Sequence, residues 1–365
     1  MKYVVKHLGM LLGAIAALYG VALGVTLLLV PNPRLEGGLD TRAAGHTLFM
    51  TEPKYMFLNR QRLTGAERKM IVVGASNAAG GFPQKTLATM IPDAVVHNLS
   101  IPGANMTEIR ESVDLIRDVQ SAKARRNTNY VIGIWYGVFA DDSVKWSTPD
   151  RHAGDTDLDI EAYRYGFYRR TPAGPVPSLP TEYLDLGVTM IHPLLSLDYA
   201  ARQSNKVLEA LGLKHEKKEH LTDADRNATI VDELQRQIYL KFWADTIQLP
   251  HLSDSSFQAL AQTISEIVAD GGQVTVVNMA IPRWHAERSP YEAEYEQKRD
   301  LVMAAFAGHP QVSYLELRGL DGDDDFFDEV HPKPRVVPEW CGQLAATVAD
   351  RMTRDTVSGL TAKRD

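Results

Sequence analysis

Leu8 to Val30 is a run of 23 residues without one charged side chain, LGMLLGAIAALYGVALGVTLLLV, and no other feature constrains the architecture as strongly. At about 1.5 Å per residue, a helix of that length crosses a hydrocarbon core of roughly 30 Å. Lys2, Lys6 and His7 stand ahead of it, and PNPRLEGG, with a single Arg, follows. The positive-inside rule therefore puts the N-terminus in the cytoplasm and the rest of the chain outside. A cleaved signal peptide carries an apolar region of about 7 to 15 residues and a small-x-small site, whereas this run is longer and ends in LLLVPNP. A buried core helix seldom runs this far without a polar face. The reading is a single-pass signal anchor over residues 1–30, with the body on the periplasmic side of a cell inner membrane.

The balance of charge narrows the partners. The chain of 365 residues carries 39 basic and 46 acidic side chains, a formal net charge of -7, so it lacks the basic footprint that holds nucleic acid. Cys341 is the single cysteine, which excludes an intrachain disulfide and any multi-cysteine metal site. No cofactor is expected.

Residues 31–68 hold PNP, GGLD and scattered basic residues without sustained periodicity, and read as a linker. From Lys69 the pattern turns α/β. Strands are expected at 70–76, 94–100 and 128–139, separated by helices after Pro83 and over MTEIRESVDLIRDVQSAKA. Strand and helix in alternation predict a mostly parallel sheet in an α/β three-layer sandwich. From about 140 to 220 the pattern fails, in a stretch rich in Pro, Asp and Arg that includes YRYGFYRR at 163–170. This is an insertion over the sheet, either a lid packed on the body or a binding surface. A long helix follows, TDADRNATIVDELQRQIYLKFWADTI, with a capping-box pattern at Thr222 to Asp225. Then come a helix at 254–270, a strand at 273–280, the helix YEAEYEQKRDLVMAAFAG, a strand at 311–319 and a helix from Pro338 to Met352. The body spans 69–352, and 353–365 reads as a frayed tail.

In IVVGASNAAGG a serine follows a buried strand directly, so Ser76 should stand at the carboxyl edge of a parallel sheet, where open α/β folds place their sites. Gly74, Ala75, Ala78 and Ala79 leave room for close approach. Alone, such a turn also fits a plain loop or a phosphate-binding loop, though G-x-x-x-x-G-K-[ST] is absent.

The loop DGDDDFFDEVHPKP sets Asp328 three residues before His331. An Asp so placed can accept the Nδ1 proton and leave Nε2 to take a proton from a serine hydroxyl. The pattern is common, and its weight comes from position, after the last strand at the same sheet edge as Ser76. Asp321, Asp323, Asp324 and Asp325 could hold a hard cation, but EF-hand spacing is absent and a solvated loop fits as well. Arg283, with His285 in AIPRWH, could bind an anionic substrate or be plain surface, and His97 inside a strand reads as a core histidine.

Gly74, Ser76 and Asn77 in G-x-S-N, Gly103 in NLSIPGAN, and Asp328 to His331 in D-E-V-H together resemble blocks I, II and V of the SGNH (GDSL-like) hydrolases, over 69–352 apart from the insertion. The resemblance implies a flavodoxin-like sandwich and a triad of Ser76, Asp328 and His331. It also implies an oxyanion hole from the N–H groups of Ser76 and Gly103. The family's G-x-N-D would fall near GIWYGVFADD at 133–142, where no Asn stands. Two donors in place of three could weaken the hole by a few kcal/mol, with Tyr136 or Asn77 as candidate substitutes.

The missing Asn together with an N-terminal anchor resembles the membrane-anchored SGNH proteins that work beside membrane-bound O-acyltransferases in teichoic acid D-alanylation and exopolysaccharide O-acetylation. The resemblance implies transfer of an acyl group, acetyl being the expected one, to a cell-surface glycan through an acyl-Ser76 intermediate. Tyr165 and Tyr168 are then the expected acceptor wall. A tethered carbohydrate esterase or deacetylase, or a non-catalytic SGNH-like partner of a membrane-bound O-acyltransferase, would carry the same motifs.

Overall fold

The computed structural model describes residues 2–30, 37–49, 51–140, 156–171, 174–178, 180, 183–210, 221–247 and 250–361. Helix α1 (Lys2–Leu29) is unbroken, and it is long and apolar enough to cross a membrane.

The body is α/β. Strands β1 (Lys69–Val73), β2 (Val95–Asn98) and β3 (Thr128–Ile134) enter a five-stranded sheet. The short pair β4 (Tyr168–Thr171) and β5 (Gly174–Pro177) forms a separate antiparallel hairpin. Strands β6 (Gln273–Asn278) and β7 (Val312–Glu316) complete the sheet, which runs β2-β1-β3-β6-β7 with every neighbouring pair parallel. All residues of β1 and β3 are buried, which is why both read as continuous apolar runs rather than alternations. The chain leaves β1 toward β2, then returns to β1's other side as β3. The order therefore reverses at β1, opening a crevice at the strands' carboxyl ends.

Helix α2 (Glu52–Asn59) precedes the sheet. After β1 come α3 (Ser76–Gly81) and α4 (Gln84–Met90), and after β2 come α5 (Met106–Val119) and α6 (Ala122–Arg126). Beyond β3 lie α7 (Asp157–Arg164), α8 (Leu184–Met190), α9 (His192–Ala210), α10 (Asp223–Ala228) and α11 (Glu233–Ile247). Helix α12 (Asp254–Ala269) leads into β6, α13 (Arg283–Arg288) and α14 (Glu292–Ala304) into β7, and α15 (Val337–Thr361) closes the chain. Helices α5, α12 and α14 pack in series, while α3 and α4 pack on α15.

Four local outcomes differ from the sequence reading. The described part of the stretch read as a linker is integral to the body: Leu39, Phe49, Tyr55, Phe57 and Leu63 are fully or almost fully buried. Gly38 lies so close to the Val96 carbonyl that no side chain fits, and the Leu39 N–H donates to His97 Nδ1 at 2.8 Å. A segment stitched to an edge strand through backbone contacts shows no periodicity of its own. The insertion is built of helices and a hairpin in its described parts, with 141–155 and 211–220 outside the described residues. The long helix is two helices. Thr222 and Asp225 do form a capping box at α10, but the β-branched run at 229–231 interrupts the helix and a reciprocal pair, Asp232 with Gln235, restarts it. Finally, α15 continues to Thr361 through most of the stretch read as a tail, whose last residues, 362–365, lie outside the described ones, as do 31–36 of the linker.

Candidate active site

Ser76 follows β1 after two residues and opens α3, a helix pressed tightly on the sheet. A Cβ at Gly74 would lie 2.7 Å from the Ala78 Cβ, and one at Gly133 would lie 2.8 Å from the same atom. The small residues of the turn are thus required by contact between α3 and the ends of β1 and β3. The β2–α5 loop is tied alongside: Leu99 N–H donates to the Val72 carbonyl at 2.8 Å and Ile101 N–H to the Gly74 carbonyl at 3.0 Å. Asn98 locks the two together, its Nδ2 donating to the Phe82 carbonyl at 2.7 Å and its Oδ1 accepting from Ser100 N–H at 3.1 Å. This loop delivers Gly103, at φ +76°, a left-handed conformation that favours glycine. The Ser76 and Gly103 N–H groups take no partner among the described residues.

His331 comes from the loop between β7 and α15. Its Nδ1 donates to Asp328 Oδ2 at 2.7 Å, while Asp328 Oδ1 accepts the backbone N–H groups of His331 at 2.8 Å and Val330 at 3.0 Å. The Phe327 ring stacks on the imidazole at 5.5 Å and 13°, and the Arg226 guanidinium lies 5.4 Å over the other ring, Phe327. Burial alone would lower the His331 pKa, but the hydrogen bond to Asp328 and the charges of Asp328 and Glu329 outweigh it and raise the imidazole above its ordinary value. Burial, reinforced by the Asp328 charge, pushes the neighbouring Glu329 carboxyl up to about 7.

Ser76 and His331 line two cavities together. One, of about 410 Å³, is walled by Trp135, Phe242 and Trp243 and reaches Gly103, Asn105 and Glu329. The other, of about 780 Å³, is bordered by the charged and polar side chains of Asp40, Arg42, Gln84, Lys85, Asp223 and Arg226 together with Phe327 and several prolines. The serine and the histidine stand where an aromatic pocket meets a charged groove.

Other expected residues fall elsewhere. Tyr136 is fully buried, and its hydroxyl donates to His285 Nε2 at 2.5 Å, while His285 Nδ1 donates to the Glu329 carbonyl at 2.7 Å. Burial lowers the His285 pKa to about 4, so this ring is a neutral strut between the end of β3 and the Asp328–His331 loop. Asn77 is also fully buried, its Oδ1 accepting from Ala78 N–H at 2.9 Å, and neither Asn77 nor Tyr136 lines either cavity. Tyr168 packs edge-on against Phe57 at 5.1 Å and Tyr165 lies under Lys54 at 5.8 Å, so both pack on α2 rather than line either cavity. Arg283 is exposed beside Asp321 at 3.5 Å, outside both cavities. His97 is a buried core histidine whose pKa burial lowers to about 4. In the acidic loop Asp321, Asp323 and Asp325 each face an arginine, and among the described residues no group of His, Cys, Asp or Glu is arranged to hold a metal.

Asn105 had not been singled out. It is 5% exposed, its Oδ1 caps α5 by accepting Glu108 N–H at 3.1 Å, and its Nδ2 has no partner among the described residues although the residue lines the Ser76 cavity. The aromatic wall from α11 was also unforeseen. Searches of the sequence against protein-family models and against curated proteins return no match.

Proposed function

We propose that the protein is an SGNH-type serine acyltransferase with a three-layer, flavodoxin-like body, held by α1 to the periplasmic face of an inner membrane, that acylates a cell-surface or exopolysaccharide glycan. The observation that carries this is the shared position of Ser76 and His331 at the meeting of two cavities, with Asp328 on the imidazole's Nδ1.

In this reading the Ser76 hydroxyl transfers its proton to His331 Nε2 as Oγ bonds to the acyl carbon of a donor ester. The carbonyl electron pair moves onto oxygen, where the N–H groups of Ser76 and Gly103 and the unpartnered Asn105 Nδ2 can receive it. Collapse expels the donor alcohol, which takes the proton from His331, and a glycan hydroxyl then repeats the steps in reverse to release Ser76. Asn105 thus fills the role for which the sequence offered Tyr136 and Asn77. The groove of about 780 Å³, with charged side chains on its border, favours transfer over hydrolysis, because it gives an acceptor sugar room beside the nucleophile. A membrane-bound O-acyltransferase is the partner that would load the serine.

The test uses the full chain in bilayer discs with an activated acyl ester. Intact-mass measurement should find one acyl adduct that Ser76→Ala abolishes, and an added oligosaccharide should carry the acyl group away. Adduct turnover without any acylated sugar would make the protein an esterase. No Ser76-dependent adduct at all would leave it a non-catalytic partner.

A further inference from the structure

Helices α8 and α9 carry a row of large apolar side chains that the body does not cover. Tyr183, Leu186, Met190, Leu194 and Leu197 are 53, 59, 45, 51 and 67% exposed, while Val188 and Leu195 between them are buried. Leu186 and Met190, four residues apart on α8, share one face of that helix, as do Leu194 and Leu197, three apart on α9, with Tyr183 at the α8 N-cap. None of the five positions of the row is charged, and the adjacent Asp198 turns to Lys54 at 3.9 Å. So large a contiguous apolar surface calls for a partner.

Its neighbour identifies that partner. Helix α1 packs on α9, and the Tyr19 hydroxyl donates to the Met190 carbonyl at the α8–α9 junction. The half-buried residues in the outer half of α1 are Tyr19, Ala22, Leu23 and Thr26, one helical row, with Val30 just past the helix half-buried as well. If the body pulled this half out of the bilayer, only Leu8 to Leu18 would remain, about 16 Å of helix against a core of roughly 30 Å. A crossing α1 must keep its outer half in hydrocarbon, and the helices packed on that half go with it.

We infer that α8 and the first turns of α9 are seated in the outer leaflet beside α1, with Leu186, Met190, Leu194 and Leu197 turned to lipid. The inference rests on the reading of α1 as a membrane-crossing helix. It makes the body a monotopic unit whose orientation is fixed by two elements, so the crevice cannot swing freely on a tether.

The full chain, carrying Leu186→Cys, Leu194→Cys or Leu197→Cys labelled with an environment-sensitive fluorophore, is reconstituted into phosphatidylcholine vesicles. Cys341 is fully buried, and the unsubstituted chain serves as the labelling blank. Leu12→Cys on α1 and the exposed Ser265→Cys on α12 serve as lipid and water references. Labels at 186, 194 and 197 should lose most of their emission to doxyl-labelled lipid, as at 12, and little to aqueous iodide. Iodide quenching at those sites with lipid quenching retained at 12 overturns the inference and leaves the anchor standing. Protection from both quenchers also overturns it, in favour of a protein partner. Absence of lipid quenching at 12 defeats the anchor reading itself.

Discussion

Asp328 accepts three hydrogen bonds from its own loop, two from backbone N–H groups to Oδ1 and one from His331 Nδ1 to Oδ2 at 2.7 Å. One carboxylate thus shapes the turn, fixes the imidazole tautomer and raises the His331 pKa. A general base must be neutral, so activity should rise with pH along an acid limb set by that raised pKa. Asp328→Asn removes the charge, and the limb should move to lower pH. The amide also favours the wrong tautomer, so the plateau should fall by roughly three to four orders of magnitude. Steady-state rates between pH 5 and 9 check both.

Glu329 should report on the same loop through stability. Its folded pKa of about 7 lies above the ordinary 4.5, so the folded protein binds this proton more tightly than the unfolded chain. Its stabilising contribution is present at low pH and is lost as pH rises from about 4.5 through 7. Glu329→Gln should remove that contribution, so the melting temperature of the variant relative to the parent should rise as pH rises across this window. Because the Glu329 charge helps raise His331, the acid limb of the rate should also move down, without the collapse expected of Asp328→Asn.

The parts of this site that were legible in the sequence are those set by local chain geometry. A serine three positions past the end of a buried strand, a glycine at φ +76° and an Asp-x-x-His turn each announce their conformation within a few residues. What was illegible depends on packing between distant segments. The polarity of Tyr165, Tyr168 and Arg283 gave no sign of where their elements would dock, and Phe242 and Trp243 reach the cavity only because α11 folds back over it. Residues 37–63 looked like a spacer because their partners lie across the edge of the sheet. Asn105 was in view as part of the β2–α5 loop, but only the pairing of its Oδ1 with α5 leaves Nδ2 as the spare donor.

Asn105 therefore separates capping from catalysis. Serine caps helices about as well as asparagine but lacks the amide donor. Asn105→Ser should keep the melting temperature close to the parent's and lower the rate of Ser76 acylation about a hundredfold. Asn105→Ala should lose the same rate and, with the cap, about 1 kcal/mol of stability. Equal acylation rates for Asn105→Ser and the parent would remove Asn105 from the oxyanion hole.

The Tyr136–His285 strut predicts a different signature. Tyr136→Phe leaves His285 Nε2 buried without its donor, at a cost of about 1–3 kcal/mol seen in denaturant unfolding. His285 Nδ1 still holds the Glu329 carbonyl, so the rate should drop only a few fold, with its pH profile unmoved.

Position 133 tests how closely α3 must approach the sheet to present Ser76. A Cβ there would stand 2.8 Å from the Ala78 Cβ and 3.2 Å from Met279 Sδ. The methionine can swing aside, but Ala78 cannot move without α3, which carries the serine. Gly133→Ala should therefore cost about 1–3 kcal/mol and slow acylation, because the serine is displaced from His331. Removing the opposing methyl by Ala78→Gly relieves the overlap at the cost of roughly 1 kcal/mol for glycine in a helix. The double variant should then acylate faster than Gly133→Ala alone, with a coupling energy of about 1 kcal/mol or more in a double-mutant cycle. Strict additivity of the two substitutions would mean that this contact does not set the position of Ser76.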